Sequence, residues 1–296
     1  MPSLKNVIRT VINKPDTVVN FNEREIENIL SHVLPLMKKE KALVELQGNI
    51  AYIGDTHGDF ETTKAIITKY VDNDHLVFLG DYIDREPIKW GSIYNITYLL
   101  CLKYWNPHKF VLMKGNHETN SIIPCYPYEF EEEIIHKFGS PRLHEKFVEV
   151  FSEMPLMAVA NNVYGAHGGI LRGADLKHLR TVKKDDVKAI TSIVWSDPSI
   201  LPTFRGAGDS FTEKNLTKFL DGIKAKVFIR GHDYTTLGYS LYGDRCLTLF
   251  SSARYKEQGN RGILVAWTDH EITSVSDLNV EDFSTGQWRK YQVARI

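Results

Sequence analysis

What most constrains this chain is a local pattern that keeps returning: a short apolar run, a glycine, then side chains able to do chemistry. It appears at NIAYIGDTHGD (49–59), HLVFLGDYIDR (75–85), KFVLMKGNHE (109–118), VYGAHGG (163–169) and KVFIRGH (226–232). Short apolar runs closed by glycine read as buried strands. The first three are followed by helical spacing at 60–70, at 88–104 and in a short helix expected from 117, which gives a β-α-β-α-β rhythm. In the later half, LMAVANNVYGAHGG and YSLYGDRCLTLFSS read as strand pairs around an Asn-Asn and a Gly-Asp turn. Ahead of all this, FNEREIENILSHVLPLMKKE (21–40) has the spacing of an amphipathic helix, with Asn22 as its cap and Pro35 as a kink or stop. The expected fold class is α/β, with two mixed β-sheets in a sandwich flanked by helices. Residues 1–45 read as a helical segment packed on the body, and 46–296 as one catalytic domain.

The chemistry-bearing residues sit just past the strand ends. In open α/β sheets ligands bind in that crevice, so residues distant in sequence can meet there. Asp55, His57, Asp81, Asn116, His167 and His232 then form a set of two carboxylates, one amide and three imidazoles. Oxygen and nitrogen donors without thiolate suit manganese, iron or zinc rather than calcium or magnesium. Six ligands exceed one tetrahedral site, so two divalent ions are expected, with manganese the first choice in vitro and iron or zinc the alternatives. Asp81 is assigned as the bridge, Asp55 and His57 complete one ion, and Asn116, His167 and His232 the other. Such a pair activates a shared water for in-line attack on phosphorus. His117 would protonate the leaving oxygen, with Asp84 holding its ring. Arg85 and Arg205 would clamp the phosphate through their planar forks, with Arg230 and Arg254 as weaker candidates.

Composition narrows the partners. The chain is 43% hydrophobic and 25% charged with a formal net charge of −1, which points to neither nucleic acid nor a membrane. Cys101, Cys125 and Cys246 are scattered and odd in number, as expected for free thiols in the cytoplasm.

Together G-D-T-H-G (54–58), G-D-Y-I-D-R (80–85), G-N-H-E (115–118), A-H-G-G (166–169) and R-G-H (230–232) resemble the successive signatures of the phosphoprotein phosphatase family. That family is a branch of the calcineurin-like metallophosphoesterases. The resemblance covers about residues 50–267. It implies a metal-dependent serine/threonine phosphatase acting on phosphoproteins. W-S-D-P (195–198) with Arg205-Gly206 is similar to the segment supplying a second phosphate-binding arginine, and L-F-S-S-A-R-Y (249–255) resembles the one whose tyrosine, here Tyr255, lines the cleft. Glu86, Asp59, Lys114 and Ala253-Arg254 depart from the common pattern, and with the short chain they imply a prokaryotic or archaeal type of member. Two alternatives share these ligands: a bis(5′-nucleosyl)-tetraphosphatase or other small-molecule phosphoesterase, and an inactive scaffold.

Overall fold

The computed structural model describes residues 3–200, 206–253 and 262–295. Helices α1 (Leu4–Asn13) and α2 (Glu23–Lys39) open the chain. Asn22 caps α2 with a reciprocal capping box, its side chain accepting from Glu25 N–H while Glu25 accepts from Asn22 N–H. Pro35 neither ends nor bounds α2, which continues through it to Lys39. Strands and helices then alternate: β1 (Leu43–Glu45), β2 (Ile50–Ile53), α3 (Phe60–Tyr70), β3 (His75–Phe78), α4 (Gly91–Trp105) and β4 (Phe110–Leu112). After them come α5 (Phe130–Phe138), α6 (Arg142–Ser152), β5 (Met157–Ala160), β6 (Val163–Ala166), α7 (Leu176–Leu179) and α8 (Val187–Val194). The remainder holds β7 (Asp197–Pro198), β8 (Ser210–Phe211), α9 (Glu213–Ile223), β9 (Val227–Arg230), β10 (Tyr239–Leu241), β11 (Cys246–Thr248), β12 (Leu264–Thr268), β13 (Asn279–Asp282), β14 (Arg289–Lys290) and β15 (Ala294–Arg295).

Two mixed sheets face each other. One runs β1-β5-β6-β9-β11-β10-β15 and the other β14-β13-β12-β2-β3-β4. Side-chain alternation decides what each strand packs on. In β2, Ile50 and Tyr52 join the core between the sheets, with Val77, Ile229 and Leu247, while Ala51 and Ile53 face the helices α1, α2, α4 and α6. On the other side Met157, Tyr164 and Phe228 pack under α8 and α9. Both faces of these strands are therefore buried, which is why they read as unbroken apolar runs. Each fully buried large side chain contributes about 1.5–3 kcal/mol by leaving water.

The hairpins form where expected. Asn161 and Asn162 take φ of 50° and 64° between β5 and β6, and Gly243 and Asp244 take 64° and 68° between β10 and β11. The short helix expected from 117 is absent: residues 116–123 form turns, and the next helix is α5. Glu118 explains this, because its carboxylate is drawn to backbone N–H groups of the β3 exit, and Pro124 supplies no N–H to continue a ladder. Strand β12, central in the second sheet between β13 and β2, lies in the run ILVAWT that the sequence pattern left without an assignment.

Candidate functional site

The exits of β2, β3, β4, β6 and β9 all open at one end of the sandwich. Two glycines allow their loops to close in. A Cβ on Gly115 would lie 2.1 Å from Asp81 Oδ1, and one on Gly231 would lie 2.1 Å from Asp55 Oδ1. The backbone is also held in left-handed conformations at His57, Asp81, Asp84, Arg85 and His232, with φ between 39° and 72°. Such conformations are costly for non-glycine residues and collect at functional sites.

All six expected ligands meet, and all are buried. Asp81 Oδ2 is the hub: His57 Nε2 lies 3.7 Å away, His167 Nε2 3.4 Å and His117 Nε2 3.9 Å. Asn116 Oδ1 sits 3.0 Å from His167 Nε2 and 2.9 Å from His232 Nδ1. Asp55 reaches His57 Nε2 at 4.0 Å and His167 Nδ1 at 3.8 Å, and it accepts the His232 backbone N–H at 3.0 Å. Two rings are oriented from behind. His57 Nδ1 lies 2.9 Å from the Ile83 carbonyl and His167 Nδ1 3.0 Å from that of Leu79, so these nitrogens carry hydrogen and each Nε2 faces the centre.

This arrangement fits metal ions for an electrostatic reason. With its hydrogen on Nδ1, a neutral His167 turns a lone pair on Nε2 toward the acceptors Asn116 Oδ1 and Asp81 Oδ2. Acceptors facing acceptors need an added proton or a cation among them. The pKa shifts carry the same strain. Burial pushes Asp55 up to about 7, and the Asp81 charge adds to it against the pull of His167. For Asp81, burial opposes ionisation, but the surrounding imidazoles, His167 first, hold it well below the usual carboxylate range. Burial, and then Arg85, push His57 well below an ordinary histidine. His167 is raised, because Asp81 and Asp55 overcome its burial. Divalent ions coordinated by this O,N set would compensate both carboxylates at once.

His117 stands beside the cluster. Its Nδ1 is bonded to Asp84 Oδ2, and its buried Nε2 carries no hydrogen bond among the described residues. Burial works against its charge, and Asp81 together with Asp84 raises its pKa well above the ordinary value. Asp84 is fixed in turn, since its Oδ1 accepts the N–H groups of Glu129 and Phe130 at the start of α5, both at 2.7 Å. Arg85 is half-buried, with Nη1 3.4 Å from His57 Nε2. Arg230 is turned inward: it is fully buried, donates to the Gly168 carbonyl and pairs with Asp197 at 2.6 Å, so it anchors a loop and faces no substrate. Arg205, Tyr255 and Arg254 lie outside the described residues.

One residue of the site escaped the sequence reading. Glu118 is 4% exposed and accepts three backbone N–H groups, from Asp81 and Gly115 at 2.8 Å and from Tyr82 at 2.9 Å. It thereby clamps the loop bearing Asp81 to the loop bearing Asn116. The signal available was an acidic residue closing G-N-H-E, three positions after Gly115 and so placed to accept that glycine's N–H. A separate cavity of about 870 Å³ lies by His75 and Asn161, at the other end of these strands, and holds none of the expected ligands.

Comparison with known proteins agrees with this geometry. The family profile of calcineurin-like phosphoesterases matches residues 48–235. A protein phosphatase 2A catalytic subunit from Dictyostelium discoideum is 30% identical over 82% of this chain and 81% of its own length. The serine/threonine-protein phosphatase 4 catalytic subunit of Kluyveromyces lactis is 28% identical, over 86% and 85%. Among solved structures, a serine/threonine phosphatase from Saccharomyces cerevisiae superposes with a TM-score of 0.75 at 26% identity, covering 86% of this chain and 87% of that one. The strand-exit cluster, the sandwich that carries it and these likenesses over most of both chains agree, and the chain belongs to the calcineurin-like phosphoesterase family, on its serine/threonine protein phosphatase branch.

Proposed function

We propose that this protein is a metal-dependent serine/threonine phosphatase that hydrolyses phosphomonoesters on phosphoproteins. The observation that carries the reading is the convergence on Asp81 Oδ2, with imidazole nitrogens at 3.4 and 3.7 Å from two different strand exits, so that this carboxylate and these rings would serve together as ligands of bound ions. Asp55, His57, Asp81, Asn116, His167 and His232 would hold the ions, with manganese, iron or zinc favoured by the donor set. When bound, such ions supply Lewis acidity toward the phosphoryl oxygens and an acidified water. The chain itself does the rest. Arg85 at the mouth holds the substrate phosphate by its fork, His57 and His167 keep their carbonyl-anchored orientation, and His117 gives its Nε2 proton to the departing serine or threonine oxygen. Asp84 keeps that proton available by stabilising the cationic ring. Arg205 and Tyr255 are proposed to complete the phosphate pocket. Buried free Cys101 and Cys246 accord with a cytoplasmic setting.

The test is phosphate release by metal-stripped protein before and after Mn²⁺ is restored, with a phosphoserine/phosphothreonine peptide and diadenosine tetraphosphate side by side. Metal-dependent peptide hydrolysis is the expected result. Preference for the dinucleotide would replace the substrate and keep the site; silence on both substrates would leave an inactive scaffold.

A further inference from the structure

The surface beside Arg85 carries chemistry that hydrolysis does not use. A cavity of about 430 Å³ runs from Arg85 to α5 and is walled by Glu86, Glu129, Glu132, Glu133 and Trp90. Lys89 and His136 complete it, so four carboxyl groups face two fixed cations, Arg85 and Lys89. Glu129 and Glu132 are exposed at the rim. Glu133 lies at the base with 7% exposure. One of its oxygens receives a long 3.5 Å bond from Ile93 N–H, the Ser92 hydroxyl that bonds Glu86 also stands close enough to favour its charge, and the other oxygen, Oε2, has no hydrogen-bond partner of good geometry among the described residues. A buried carboxyl oxygen without a well-placed donor, on a residue that lines a cavity, calls for a partner. Trp90 already draws ammonium groups to its ring, with Lys89 Nζ 4.6 Å and Lys137 Nζ 5.4 Å from the centroid. The wall is also tied to the phosphate clamp, because Asp84, next to Arg85, holds the first N–H groups of α5.

We propose that this cavity is a subsite for a basic side chain of the substrate, selecting phosphoproteins with arginine or lysine within two or three residues of the phosphorylated one. The inference rests on the phosphatase reading above and names its substrate class. A guanidinium there would give Glu133 Oε2 a donor and offset the charges of Glu86, Glu129 and Glu132 while the phosphate engages Arg85. An extended peptide advances about 3.3–3.6 Å per residue, so a neighbour two positions away sits about 7 Å along, within reach of a cavity that begins at Arg85. Burial, and then the Glu86 charge, push Glu133 up to about 8, and an incoming cation would favour its ionised form against both.

The experiment compares three phosphoserine peptides differing only in flanking arginine, alanine or glutamate, with Mn²⁺-loaded wild type and with the Glu129→Gln/Glu132→Gln double variant. Both positions are exposed, so folding is spared, and turnover of p-nitrophenyl phosphate serves as the control expected to stay unchanged. Wild type should favour the arginine peptide over the glutamate peptide by about tenfold in kcat/KM, mostly through KM, with the ratio shrinking at high salt. The double variant should bring the ratio close to one. Equal hydrolysis of all three peptides by wild type would overturn the subsite and leave the phosphatase reading intact, as would a preference that survives the double variant. Failure to hydrolyse any peptide would overturn the reading beneath it, and the subsite with it.

Discussion

The buried cluster and the rim cavity share the loop 81–86, yet they are built on opposite terms. In the cluster the ligand-bearing groups are oriented by fixed contacts behind them: the His57 and His167 rings by the carbonyls of Ile83 and Leu79, and the Asp81 main-chain N–H by the Glu118 carboxylate. At the rim, Glu129 and Glu132 stand exposed, and Glu133 Oε2 has no well-placed donor among the described residues. A rigid, over-determined centre suits chemistry common to every substrate, because geometry must not change from one to the next. An under-satisfied rim suits the part that has to discriminate. Substitutions should therefore act on kcat and metal in the first region and on KM in the second.

The largest effect should come from His117→Ala, which should lower kcat by roughly 10²–10⁴ with metal content unchanged. Metal analysis beside the kinetics makes this a sharp trial, since His117 Nε2 is only 3.9 Å from Asp81 Oδ2. Loss of metal together with rate would put His117 among the ligands and end its reading as the proton donor. Next in size is Glu118→Gln. One glutamine oxygen cannot accept three N–H groups, and its NH₂ would be turned against backbone donors. Metal affinity should fall about 10–100-fold, with a smaller loss of kcat at saturating Mn²⁺. Titration calorimetry with Mn²⁺ reads it directly, and unchanged affinity would mean that the clamp between the two loops is dispensable.

How much of this was visible beforehand follows from the same contrast. The meeting of Asp55, His57, Asp81, Asn116, His167 and His232 was legible because each follows its own apolar run and glycine, and strand exits of an α/β sandwich share one end. The two hairpins were legible because Asn-Asn and Gly-Asp tolerate positive φ. What stayed hidden depends on tertiary partners. Glu118 looks local, yet it reaches Asp81 and Tyr82 across 37 and 36 positions and so cancels the helix expected at 117. Pro35 reads as a stop but is absorbed within α2. The arginine fork of Arg230 looked suited to phosphate, and only the partner Asp197 shows it turned into the core. The run IIPCYPYEFEEE (122–133) reads equally as a substrate-recognition wall or a solvated connection, and only Asp84 binding the first N–H groups of α5, a contact that no spacing encodes, brings its glutamates to Glu86.

The smallest effect should be on stability, and it probes the rim alone. Glu133 is pushed from the ordinary 4.5 up to about 8, first by burial and then by the Glu86 charge. A group whose folded pKa is raised stabilises the fold fully below its unfolded pKa, and that contribution is lost as pH rises through the folded pKa. Wild type should therefore lose stability relative to Glu133→Gln between about pH 4.5 and 8, with the gap levelling off above that. Glutamine mimics the protonated carboxyl, so the two proteins should be nearly equal in stability at the acidic end. Urea midpoints of both Mn²⁺-loaded proteins at pH 5, 6.5 and 8.5 measure the difference, in which the titrations of the cluster cancel. A gap independent of pH would mean that Glu133 is already ionised at neutral pH. In that case the rim would hold a satisfied carboxylate, and the contrast between a rigidly held centre and a waiting rim would lose its strongest support.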